Sequence, residues 1–95
     1  MITIIATMKI KEGKMDEAVA LLKEIAPKVT AEEPGCLVYI PHTVRGQDNM
    51  IVFYEKYRDK EALKEHSARL PKTMEKISPL VEPGADIKNC TEIIG

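Results

Sequence analysis

The sequence predicts an α+β chain in which a four-stranded antiparallel sheet carries helices on one face. Three observations lead to that expectation. Apolar residues alternate with a strand-like period of two in four stretches and with a helical period of about 3.6 in the stretches between. The resulting order is strand, helix, strand, strand, helix, strand. The two middle strands are separated only by a short polar run, so they form a hairpin, and the outer connections must be crossovers. This is the split βαβ, ferredoxin-like arrangement βαββαβ.

The elements follow in order. Ile2–Ile10 alternates as a strand, with Ile2, Ile4, Ala6 and Met8 on one face and Thr3, Ile5, Thr7 and Lys9 on the other. Glu12-Gly13 breaks it. From about Lys14 to Glu33, Ala18, Val19, Leu22, Ile25, Ala26 and Val29 make one buried helical stripe. Asp16 and Glu17 suit the positive end of that helix, Pro27 should kink it, and Pro34-Gly35 ends it. Cys36–Val44 reads as the second strand, and Pro41 pushes it towards a sheet edge or a bulge. Gly46-Gln47-Asp48-Asn49 reads as the hairpin loop, and Met50–Tyr57 as the third strand.

Asp59 can cap a second helix in which Leu63, His66, Ser67 and Leu70 share one side, and Pro71 stops or kinks it. Met74, Ile77 and Val81 then suggest a short third helix over Lys72–Val81. Pro83-Gly84 leads into a last strand, Ala85–Ile94.

At 95 residues the chain is read as one domain, 1–95. Its net charge of −1 gives no long-range attraction for nucleic acid or an anionic membrane. No apolar run is long enough to span a bilayer, and the N-terminus enters strand-like sequence with no signal-peptide pattern, so a cytoplasmic location is expected. The two cysteines, Cys36 and Cys90, are expected as reduced thiols on opposite sheet edges. The two histidines, His42 and His66, have no ligand-spaced partners, so no metal site is expected. No glycine-rich dinucleotide loop is present, and no cofactor is expected.

The first and third strands are apolar on both faces, yet the helices cover only one. A homodimer that packs two sheets face to face would cover the other. On the helix-facing side of the third strand, Glu55 lies between Phe53 and Tyr57, an unusual place for a carboxylate. If the second helix folds over that face, Glu55, Tyr57 and His66 line one cavity. Tyr39 joins them if the hairpin pairs residues of like parity. His42 has the opposite parity to Tyr39 and faces away.

These residues carry a resemblance to a known family. Met1-Ile2-Thr3-Ile4-Ile5-Ala6 with Gly13, Glu32-Glu33-Pro34-Gly35-Cys36 with Tyr39-x-Pro41, and Tyr54-Glu55-x-Tyr57-x-Asp59 leading to Ala62-Leu63-x-x-His66 together resemble the antibiotic-biosynthesis monooxygenase (ABM) family of dimeric α+β barrels. Its quinol monooxygenase branch looks most similar. The resemblance implies a homodimer that oxidises a small aromatic, quinol-like or polyketide-like compound with molecular oxygen and without metal or flavin, in a pocket between sheet and helices. The family commonly has Trp where Tyr57 stands, and a second His after a Pro where this chain has Pro71-Lys72.

The expected chemistry assigns His66 as base or proton shuttle and Glu55 as its partner, because histidine as a residue type exchanges protons near neutral pH. Tyr39, Tyr57 and Phe53 would form an aromatic wall for a planar ligand, and Arg69, one turn from His66, would reach an anionic oxygen. Each has a plainer alternative: a half-buried polar histidine, a salt-bridged Glu55, ordinary core packing for Phe53, and a solvated Arg69. Three activities fit this reading: a cofactor-free oxygenase, a small-molecule isomerase or proton-transfer enzyme using the same pair, and a non-catalytic dimeric binding module.

Overall fold

In the computed structural model, which describes residues 1–94, the elements are β1 (Ile2–Lys9), α1 (Met15–Glu32), β2 (Cys36–Val44), β3 (Gln47–Tyr57), α2 (Lys60–Thr73) and β4 (Asp86–Thr91). The sheet order is β2-β3-β1-β4, with every neighbouring pair antiparallel. This is the ferredoxin-like βαββαβ fold. Pro41 lies on edge strand β2, whose pairing to β3 is irregular between Cys36 and Val38, so Leu37 is displaced outward.

Strict alternation makes β3 the centre of the molecule. Ile51, Phe53, Glu55 and Tyr57 are buried, while Val52, Tyr54 and Lys56 between them are only half-buried. The buried set faces α1 and α2. There it joins Ile4, Tyr39, Cys36 and the stripe Ala18, Leu22, Ala26 and Val29 in one core. On the opposite face Ile5, Val52 and Tyr54 remain half-buried and Ile40 is 50% exposed.

Four expectations change. The hairpin closes through Arg45-Gly46 alone, because Gly46 adopts φ +81° and lets Val44 pair with Gln47. Pro71 does not stop its helix: α2 runs on through it to Thr73, and Met74 N–H still reaches the Leu70 carbonyl at 2.9 Å, while α1 continues through Pro27 as the single helix expected. The expected third α-helix is only a 3₁₀ turn over Ser78–Leu80. Pro79 supplies no donor there, and the Ile77 and Leu80 amides reach back three residues to Met74 and Ile77. The last strand ends at Thr91, short of Ile94. Among the described residues, no helix is long and apolar enough to cross a membrane.

Candidate functional site

The site begins with a close approach between backbones. Asp59 caps α2 by accepting a hydrogen bond from the Ala62 amide at 2.9 Å. Ala62 then lies against Gly35, so tightly that a Cβ at Gly35 would collide with the Ala62 methyl group. His66, one helical turn after Ala62, is thereby placed over the residues just before Gly35. There the Glu33 carboxylate meets its Nδ1 at 3.0 and 3.3 Å. Both side chains are buried.

The other ring nitrogen faces Glu55, with His66 Nε2 3.8 Å from Glu55 Oε1. Tyr57 donates a 2.6 Å hydrogen bond to that same oxygen. Tyr39 and Tyr57 flank the imidazole with ring centroids 5.3 and 5.1 Å from it, and Phe53 lies 5.6 Å from Tyr39. His66 is therefore held between two carboxylates and two phenols. Glu33 accepts the Nδ1 proton, which fixes the tautomer and leaves the Nε2 lone pair on the Glu55 side.

Burial dominates the electrostatics. It pushes the Glu55 carboxyl above its ordinary value; the Tyr57 hydrogen bond and the His66 charge oppose this, and the Glu33 charge adds to it. Burial and Glu55 also raise Tyr39 and Tyr57, so both phenols keep their protons at neutral pH. The Cys36 thiol is pushed up to about 11, mainly by burial and then by Glu33. With Nδ1 engaged by Glu33, Nε2 is the imidazole nitrogen left to meet a ligand on the Glu55 side.

Beside the cluster is a cavity of about 470 Å³, within the size range of small-ligand sites. His66, Glu55, Tyr39 and Phe53 line it, with Ile4, Ala6 and Leu63 among its apolar surfaces. Two expected residues lie elsewhere. Tyr57 does not reach the cavity, because its hydroxyl is engaged behind Glu55 and its side chain is fully buried. Arg69 projects to α1, where it pairs with Glu32 Oε1 at 2.9 Å, since its position on α2 is turned away from His66. Glu33 is a site residue that the sequence reading does not pick out, although it lies in the Glu32-Glu33-Pro34-Gly35-Cys36 stretch that carries the family resemblance. Among the described residues, no group of three or more His, Cys, Asp or Glu side chains is arranged to hold a metal ion. Glu33 and Glu55 address opposite nitrogens of one ring and cannot converge on a single ion.

This arrangement belongs to a fold with known relatives. The family model for antibiotic biosynthesis monooxygenase matches residues 1–70, which contain Glu33, Tyr39, Glu55 and His66. The chain belongs to the ABM family. A crystal structure described as an antibiotic biosynthesis monooxygenase superposes with a TM-score of 0.85 at 25% identity, covering 98% of this chain and 99% of that one. A Caulobacter crescentus CB15 protein, described as a candidate member of the same kind, gives 0.87 at 26% identity over 97% of this chain and 89% of its own. An uncharacterized Synechocystis protein is 29% identical over 89 residues, covering 92% of this chain. The ABM chain spans 60% of the length of that curated relative.

Proposed function

We propose that this ABM protein is a cofactor-independent monooxygenase of a small aromatic, quinol-like compound, akin to the quinol monooxygenase branch and acting as a cytoplasmic homodimer. One observation carries the reading: a buried imidazole, anchored through Nδ1 by Glu33, opens beside Glu55 onto a largely apolar cavity. Oxygen can be reduced without a metal or flavin when the substrate itself gives up electrons readily, and a deprotonated hydroquinone does so.

His66 Nε2 takes the proton from a ring hydroxyl. Glu33 stabilises the imidazolium that forms, and the raised carboxyl of Glu55 passes a proton on or receives one. The aryl oxide transfers an electron to oxygen, and the two radicals join at a ring carbon. Cleavage of the O–O bond then leaves one oxygen on the ring and releases the other as water. Hydroquinone and dioxygen thus give hydroxyquinone and water, a four-electron oxidation matched by the reduction of oxygen. The apolar walls exclude water from the charged intermediates.

Oxygen uptake with a panel of hydroquinones tests this. Consumption that depends on the protein and is lost in His66→Ala is expected. Isomerisation of a ligand without oxygen uptake, or ligand-induced thermal shifts with no turnover, would replace it with the isomerase or the binding-module reading.

A further inference from the structure

The register places four residues in one row across the helix-facing side of the sheet. Tyr39 pairs with Glu55, Glu55 with Ile4, and Ile4 with Asn89. Glu55 and Asn89 are therefore two strand spacings apart, about 10 Å between backbones, with Ile4 between them. Both side chains rise from the same face, and both line the cavity. The next row runs Phe53, Ala6, Ile87, so the floor beside Ile4 is lowered by the small Ala6. The cavity thus has an acid–base end at Glu55 and His66 and an amide end at Asn89, with an apolar floor between them that accommodates one planar ring. Asn89 makes no hydrogen bond to another side chain among the described residues, and it is exposed at the edge strand.

We infer that Asn89 is a substrate-binding residue that reads a second oxygen on the ring, opposite the hydroxyl held at His66. The site is then selective for para-dioxygenated rings over monophenols. A carboxamide suits this role because it both donates to a quinone oxygen and accepts from a quinol hydroxyl, so it holds substrate and product alike. This rests on the proposed function for the identity of the ring, but the selectivity is read by binding alone.

Isothermal calorimetry under nitrogen, with hydroquinone and with phenol as probes, tests it on the whole chain and on Asn89→Leu. The native chain should bind hydroquinone more tightly than phenol. Asn89→Leu should weaken hydroquinone by about tenfold and leave phenol nearly unchanged. Asn89→Asp, which keeps an acceptor, should recover part of the loss. Equal weakening of both probes, no weakening, or no preference in the native chain overturns the assignment. Selective binding without oxygen uptake would support Asn89 and discard the oxygenase reading; oxygen uptake without Asn89-dependent selectivity would do the reverse. Thermal melts confirm that each variant is folded.

Discussion

Glu33 and His66 stand 33 positions apart in the chain and meet at 3.0 Å, both buried, where the end of α1 faces α2. An ion-paired or charge-assisted contact in that setting leaves a costly orphan when one partner is removed. The pair therefore links the stability of the α1–β2 corner to the orientation of the imidazole.

Replacing His66 with Ala removes the imidazole that lines the cavity. Turnover of a responsive quinol should fall by about a hundredfold or more. Glu33→Gln keeps an acceptor for Nδ1–H but removes the charge that stabilises the imidazolium, so it should cost less, about tenfold. Steady-state oxygen uptake measures both. Full turnover in either variant removes that residue from the mechanism.

Glu55 carries a pH signature. Its folded-state carboxyl is raised above the ordinary 4.5, so over the interval above 4.5 the folded chain holds a proton that the unfolded chain has released. The stabilisation from this group is complete below that value and is lost as pH rises through the raised one. Glu55→Gln still accepts from Tyr57 and never ionises. It should flatten this part of the profile and raise the melting temperature at neutral pH, while lowering turnover. Melts across a pH series would show it; an unchanged profile contradicts the burial argument.

The thiols should differ sharply. Cys36 is buried with its thiol pushed up to about 11, whereas Cys90 is only half-buried on the opposite edge strand. In the native protein at mildly alkaline pH, Cys90 should react with a thiol reagent well before Cys36. Both should react after denaturation without reduction. A disulfide between them would contradict the sheet order.

Gly35→Ala tests the contact that positions α2. The new methyl group would collide with the Ala62 methyl group and press on the α2 backbone there. A loss of stability of about 1–3 kcal/mol is expected from such overpacking. The displacement should also loosen the Glu33–His66 contact, seen as a change in the imidazole NMR resonances. Unaltered stability would mean that the corner yields freely.

The sheet face opposite the helices keeps Ile5, Val52 and Tyr54 half-buried and Ile40 exposed, which leads us to expect a homodimer formed through it. Light scattering should give about twice the 10.6 kDa chain mass. Val52→Glu should dissociate or unfold the assembly. A monomeric native chain would refute this interface.

Local periodicity was enough to assign the four strands, the two long helices and their buried faces, but not the 3₁₀ turn at Ser78–Leu80 or the tight Arg45-Gly46 hairpin. It put Glu55 on the buried side of β3, His66 on the inner stripe of α2, and Asp59 at its cap, because those properties depend on neighbours a few residues away. Contacts between elements were not legible in that way. The neighbour of His66 Nδ1 is Glu33, Tyr57 lies behind Glu55 and outside the cavity, Arg69 turns to Glu32, and Asn89 falls in line with Glu55. Each of these depends on strand register, on the irregularity between Cys36 and Val38, and on how closely Ala62 can approach Gly35. Those are consequences of three-dimensional packing, in which one methyl group or a shift of one residue changes which side chains meet.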